Sequence, residues 1–267
     1  MIKKNIHLLL IIALICLLSI PASAQKGQYI NPYGIYQSTS INNRKDYFTS
    51  DDILNLKNSY HFAYGIQYIN NFTDIFGIET GLKHSTTGQK YYGFIDYDAN
   101  TQITEDINYT SEVLFNFYHV PFLLRFNSPL DEDRIFLTIA AGFQADILSK
   151  TQVITDPAPV IPPAGIINYN ELFSSFNVSF VSNAMFTISI TEKIHSSIGF
   201  QMARSIGDVE NKKFEFDKTI HPVEYYFPVS TKKNDRPVFS PNSSSGRQKS
   251  KLTNYGLLVG LSFLIKS

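Results

Sequence analysis

The last stretch of the chain, LTNYGLLVGLSFLIK at positions 252–266, decides the predicted fold. Successive side chains of a β-strand point to opposite faces, so one face here is apolar and the other mostly small or polar. The stretch has 15 residues, whereas strands of soluble proteins average about five or six. That length suits a strand tilted across a bilayer. The alternative is a strand of a soluble β-sandwich with one solvent-exposed face. The apolar row is Tyr255, Leu257, Val259, Leu261, Phe263 and Ile265, and the other row includes Asn254, Gly256, Gly260 and Ser262.

The same alternation recurs along the chain, and the connections between the segments are alternately long and short. An even number of strands, short periplasmic turns and long external loops are typical of outer-membrane barrels. Every backbone polar group in lipid needs a partner, so the strands must close on themselves. We therefore predict an all-β fold, an eight-stranded antiparallel up-and-down transmembrane β-barrel, with long extracellular loops at about 38–58, 86–111, 149–171 and 205–251. The other predicted strands cover residues 28–37, 59–70, 75–85, 112–127, 135–148, 172–190 and 194–204.

The first residues have the features of an export signal. Lys3 and Lys4 precede an apolar run at 8–20, and Ala22-Ser23-Ala24 follows. This order predicts a secretory signal peptide at 1–24, cleaved after Ala24, and a single barrel domain at 25–267. The only cysteine, Cys16, lies in the predicted signal peptide, which excludes disulfides and metal–thiolate sites from the mature chain.

Charge and composition narrow the function classes. The chain has 23 basic and 23 acidic residues, and removing Lys3 and Lys4 with the signal peptide leaves a mature chain with a net charge of −2. Nucleic-acid binding, which calls for a strongly basic face, is not expected. No apolar run near 20 residues follows Ala24, so transmembrane helices are not expected either.

Two short segments carry a family resemblance. Residues 77–83, GIETGLK, are followed by Gly88, and residues 118–126 read YHVPFLLRF. Both resemble elements of the PorT-like family of small outer-membrane β-barrels of Bacteroidota, although His119 stands where an acidic residue is usual. The resemblance implies a barrel fold and an outer-membrane location, and it implies no activity.

The inward rows of the predicted strands contain ionisable and amide side chains. Eight strands enclose little more than their own inward side chains, and buried charges need partners. We therefore predict a packed polar network in the lumen, in which Glu79 accepts hydrogen bonds from Arg125, His119 or Lys83. A proton or ion path is the alternative. The predicted network consists of His61, Glu79, Lys83, His119, Arg125, Gln144 and Asp146.

Other candidate sites are weaker. His195 and Ser197 share a strand face and suggest a hydrolase pair, but no acid can be assigned to them, so no catalytic residue is predicted. Asp51-Asp52 and Asp96-Tyr97-Asp98 contain oxygen ligands suited to calcium, yet too few for a predicted metal site, and no cofactor is expected. Three basic clusters occur in the last loop, at Lys212-Lys213, at Lys232-Lys233 and at 247–251.

These observations predict a non-enzymatic outer-membrane barrel that acts as a structural or interaction scaffold, and as a monomer. Its expected partners are outer-membrane lipid, including lipopolysaccharide, and an envelope protein bound through the loops. A narrow channel or transporter and an accessory barrel of a secretion system are alternatives. An enzyme that modifies outer-leaflet lipid is a further alternative.

Overall fold

The computed structural model describes residues 26–42, 55–97, 104–131, 134–156, 169–209, 211 and 250–266. The predicted signal peptide lies outside these residues. A short 3-10 helix covers Tyr169–Leu172. No helix in the described part of the chain is long and apolar enough to cross a membrane, a finding that does not bear on crossing by strands. The strands are β1 Gly27–Asn42, β2 Asn55–Asn71, β3 Phe76–Tyr97, β4 Thr104–Asp131, β5 Ile135–Asp156, β6 Phe176–Thr191, β7 Ile194–Ser205 and β8 Lys251–Lys266.

The eight strands form a closed antiparallel barrel, as predicted. Each strand pairs with the next, and β8 pairs with β1. If the pairing is followed from Ile30 around the barrel, it returns to β1 at Ser40, which is a shear of 10 residues. With eight strands, such a stagger requires strands tilted by roughly 35–45° to the barrel axis. The path is Ile30, Tyr68, Thr80, Phe122, Phe143, Phe180, Arg204, Thr253 and Ser40.

The two faces of the barrel have the reverse of the usual polarity of a soluble protein. Large apolar side chains point outward, and Phe62 and Phe200 are 70% and 68% exposed. Charged and amide side chains are instead buried inside. An apolar exterior around a polar lumen is the architecture of an outer-membrane barrel, and the protein is placed in the outer membrane. The periplasmic side then contains the short turns after β2, β4 and β6. The first residue of β1 and the last residue of β8 lie on the same side.

The strands on the extracellular side extend further than the sequence pattern predicts. β3 continues to Tyr97 and β4 begins at Thr104, so most of the predicted loop at 86–111 is a β-hairpin. β5 continues to Asp156, eight residues past its predicted end at 148, and the predicted loop at 149–171 is shorter as well. The apolar alternation marks only the part of a strand that lies in lipid, whereas backbone pairing continues through polar sequence above it.

Candidate functional site

The buried ion pair near the periplasmic end of the lumen is formed by Glu79 on β3 and Arg125 on β4. Arg125 Nη1 donates to Glu79 Oε1 over 2.6 Å, and both side chains are buried. Gln67 donates to the other carboxylate oxygen of Glu79 over 3.3 Å. Arg125 also donates to Asn127 over 2.9 Å and to Thr138 over 3.3 Å. The prediction that Glu79 accepts a hydrogen bond from Arg125 is confirmed, and we call these five residues the lower cluster.

A second cluster lies further toward the extracellular side and is centred on Lys83. Its ammonium donates to Gln144 Oε1 over 3.2 Å and to Gln201 Oε1 over 2.9 Å. Gln144 in turn donates to Asp146 Oδ1 over 2.7 Å. Lys83 and Asp146 are therefore joined through a neutral carboxamide instead of touching. Gln201 is oriented by a 2.9 Å bond from its Nε2 to Asn183 Oδ1.

His119 connects the second cluster to Ser85. Its Nδ1 lies 2.6 Å from Asp146 Oδ1, and its Nε2 lies 2.6 Å from Ser85 Oγ. Asp146 also accepts a hydrogen bond from Ser179 Oγ. We call Lys83, Ser85, His119, Gln144, Asp146, Ser179 and Gln201 the upper cluster.

The order Ser85, His119, Asp146 is that of a serine hydrolase relay. A hydrolase must also bring a substrate carbonyl to the serine oxygen. Ser85 is only 1% exposed, and His119 is only 2% exposed. In this structure the three side chains therefore form a buried hydrogen-bond chain without access for a substrate.

Apolar side chains and glycines separate the two clusters along β3, β4 and β5, the strands that contribute to both. On β3 the inward residue between Glu79 and Lys83 is Gly81, and on β4 Leu123 lies between His119 and Arg125. These layers interrupt a polar path along the lumen. Buried apolar side chains form two groups inside the barrel, one made of Tyr33, Ile35, Ala63, Met185 and Leu258 and the other of Leu123, Ala140, Val181 and Ala203.

Phe173, which follows the 3-10 helix, lies near the extracellular end of the lumen. Its ring is 4% exposed and packs edge-on against Phe115, with centroids 4.6 Å apart. Ser174 N donates to Val209 O over 2.9 Å, and Val209 N donates to Ser250 O over 3.1 Å. The β5–β6 and β7–β8 connections are thus joined to each other by backbone hydrogen bonds at the extracellular end.

His61 does not join either cluster, which corrects its place in the predicted network. Its Nε2 lies 3.1 Å from Glu112 Oε1, and the other oxygen of Glu112 lies 3.6 Å from Lys90 Nζ. The pairing of β2 with β3 shifts register between Asn58 and Ala63. Irregular pairing of this kind re-aims side chains, and simple alternation does not predict it.

The other sequence candidates do not assemble a site within the described residues. His195 Nδ1 lies 2.8 Å from Ser189 Oγ instead of pairing with Ser197, and its ring packs against Tyr29. No group of three metal-ligating side chains occurs in the described ranges. Asp51, Asp52, Asp98 and the basic clusters at 212–213, 232–233 and 247–249 lie outside them.

The sequence interpretation included Gln144 but missed the other neutral residues of both clusters, and also Asn183, which orients Gln201, although all of them lie on inward rows. Their common signal is a Gln, Asn, Ser or Thr on the inward row of its strand. These residues are Gln67, Ser85, Asn127, Thr138, Ser179, Asn183 and Gln201.

Comparison with known proteins finds small outer-membrane barrels. OprG from Pseudomonas aeruginosa is 11% identical with a TM-score of 0.42, and the match covers 91% of this chain and 97% of OprG. Neisserial surface protein A (NspA) is 9% identical with a TM-score of 0.42, covering 92% and 99%. Ail of Yersinia pestis is 9% identical with a TM-score of 0.32, covering 90% and 100%. No family model and no curated protein matches the chain. Likeness at this level bears on the fold alone, which the strand pairing already establishes.

Proposed function

We propose that this protein is a non-enzymatic outer-membrane barrel whose lumen is sealed and whose extracellular part serves as a structural or interaction scaffold. The observation that carries the proposal is the filling of the lumen. Two hydrogen-bonded clusters are separated by apolar side chains, and Phe173 packs on Phe115 near the extracellular end. A barrel filled in this way has its free surface outside the lumen, so its partners are bound there. Those partners are outer-membrane lipid, including lipopolysaccharide, or an envelope protein, and the barrel itself acts as a monomer.

The surface offered for a partner is the sheet that rises above the membrane. β3 and β4 remain paired up to Tyr97 and Thr104, and β4 and β5 up to Thr110 and Asp156. Ile154, on this extension, is 53% exposed. Single exposed apolar residues are common on protein surfaces, so the projecting sheet itself, and not Ile154 alone, supports the scaffold role.

We further propose membership of the PorT-like family. The two segments that resemble this family lie on neighbouring strands, and Gly77 pairs with Arg125 while Lys83 pairs with His119. Together they supply Glu79 and Arg125 of the lower cluster, and Lys83 and His119 of the upper cluster. The resemblance thus coincides with the residues that fill the lumen, which supports a shared barrel design.

Two other functions each have one observation in their favour. The buried chain of Ser85, His119 and Asp146 favours an enzyme, but its burial argues against turnover. Lys83, whose ammonium donates to the neutral carboxamide oxygens of Gln144 and Gln201, favours an ion path. The apolar layer below it argues against that path.

Photo-crosslinking in intact cells tests the scaffold role. A crosslinking residue at Ile154 is expected to give discrete adducts, because this position projects on the extracellular side. The matched control is Leu130, which is similarly exposed, at 55%, but lies at the periplasmic end. Adducts at 154 that are absent at 130 support the proposal. If position 154 yields none while the protein is correctly inserted, the extracellular extension is not an interaction surface.

A further inference from the structure

Arg204 is a charged residue at an unusual place on the barrel exterior. It lies near the extracellular end of β7, one residue before the strand ends at Ser205. The outward row below it contains Ile198, Phe200 and Met202, and the side chain of Arg204 is itself exposed. The outward row of β7 is therefore apolar or uncharged until it reaches this guanidinium.

The depth of Arg204 is marked by tyrosines at the extracellular ends of other outward rows. Tyr36, Tyr118 and Tyr255 are each about half exposed, and the residues below them on their strands are mainly aliphatic or Phe. Girdles of aromatic residues with a polar tip mark the membrane–water interface of barrels. Arg204 pairs with Thr253, two residues from Tyr255 on β8, and so lies at the same depth as this girdle.

Among the described residues, no opposite charge lies directly across from Arg204, and the carboxylate of Asp208, four residues further on, accepts a hydrogen bond from Ser250 N over 3.1 Å. Its cross-strand neighbours are Phe180 on β6 and Thr253 on β8. Lys251 is diagonal to it on β8, and diagonal neighbours lie about 7–8 Å apart. Lys251 Nζ donates to Gly207 O over 3.0 Å. This hydrogen bond keeps a second positive charge at the extracellular end of β7 and β8. No ion pair of Arg204 is present among the described residues.

We propose that Arg204, flanked by Lys251 and Tyr255, binds a phosphate group of an outer-leaflet lipid. A guanidinium presents a planar fork of donors that matches phosphate oxygens. Lys251 and Tyr255 lie two residues to either side of Thr253 on β8, so they are on opposite sides of the level at which Arg204 pairs with this strand. The site rests on the part of the proposed function that has outer-membrane lipid as a partner. It is on the outer wall of β7 and β8, so it does not depend on the sealed lumen or on the projecting sheet.

Native mass spectrometry of the detergent-purified protein with added lipid A tests this site. Bisphosphorylated lipid A is compared with chemically dephosphorylated lipid A. The wild-type protein is expected to retain the phosphorylated form preferentially. Arg204→Gln is expected to weaken that binding about tenfold, since one charge-assisted hydrogen-bonded contact is lost. Arg204→Lys, which keeps the charge without the fork, is expected to fall between the two.

The matched control is Lys193→Gln, which removes the same charge from the exposed periplasmic turn before β7. It is expected to bind like the wild type. Heat-modifiable migration shows that each variant is folded, and Arg204 is exposed enough that its loss does not disturb packing. Equal binding of both lipids by the wild type, or equal loss in Arg204→Gln and Lys193→Gln, overturns the site. Neither result alters the outcome of crosslinking at Ile154, so the two proposals fail separately.

Discussion

The lower and upper clusters of the lumen bury opposite charges in two different ways. In the lower cluster, the Glu79 carboxylate and the Arg125 guanidinium are in direct contact at 2.6 Å. In the upper cluster, Gln144 accepts from Lys83 through Oε1 and donates to Asp146 through Nε2. A carboxamide thus bridges a cation and an anion that do not touch. A barrel lumen can therefore stabilise buried charges in two ways, by direct contact between the cation and the anion or by a polar side chain placed between them.

The two clusters differ in how much stability they are expected to lose when a single residue is removed. Removing one partner of a direct buried pair leaves the other charge uncompensated, which is costly. In the upper cluster, Asp146 also accepts from Ser179 and lies 2.6 Å from His119 Nδ1. Loss of Lys83 therefore leaves Asp146 with three hydrogen-bond partners. We expect the lower cluster to be the more fragile of the two.

The largest effect is expected for Glu79→Ala. It leaves the buried Arg125 guanidinium with only neutral partners, Asn127 and Thr138, and should lower the free energy of unfolding by about 3–5 kcal/mol. Reversible denaturant unfolding in detergent or lipid vesicles measures this. As a control, the double variant Glu79→Ala/Arg125→Met should recover much of the loss. A loss below about 1 kcal/mol would place this pair among those that contribute little.

A smaller effect is expected for Lys83→Met. The change removes two hydrogen bonds to the carboxamide oxygens of Gln144 and Gln201, and should cost about 1–3 kcal/mol. Part of that cost is offset, because a buried ammonium no longer has to be desolvated. The same unfolding assay applies. If Lys83→Met proves more destabilising than Glu79→Ala, the upper cluster depends more on a single residue than the lower cluster does, which contradicts the expectation from the geometry.

The fold was largely predictable because the membrane imposes a simple rule on each strand. Outward residues in lipid must be apolar, so alternation on β8 and its counterparts identifies the strands and their number. The same rule explains why strand ends were missed. Above the membrane β3 and β4 are free of this constraint, and their sequence at 86–97 and 104–111 loses the strict alternation while pairing continues.

The candidate site was predictable only where few partners were possible. Glu79 needed a long basic partner nearby, and Arg125 on the adjacent strand was one of few choices. Lys83 binds Gln201, a residue 118 positions away. Such a contact across the barrel depends on the shear and on the register of every strand between them, which the sequence pattern does not encode. The pairing of His61 with Glu112 depends in the same way on a local register shift.

Current recordings from the purified protein in planar bilayers test the sealed lumen most directly. A conducting path would have to pass the layer that contains Leu123 and Leu258, both fully buried, and the Phe173 ring near the extracellular end. We therefore expect no steady, ion-selective unitary conductance from correctly folded protein. Reproducible unitary currents whose ion selectivity changes in Glu79→Ala would contradict the account and establish a channel through the lower cluster.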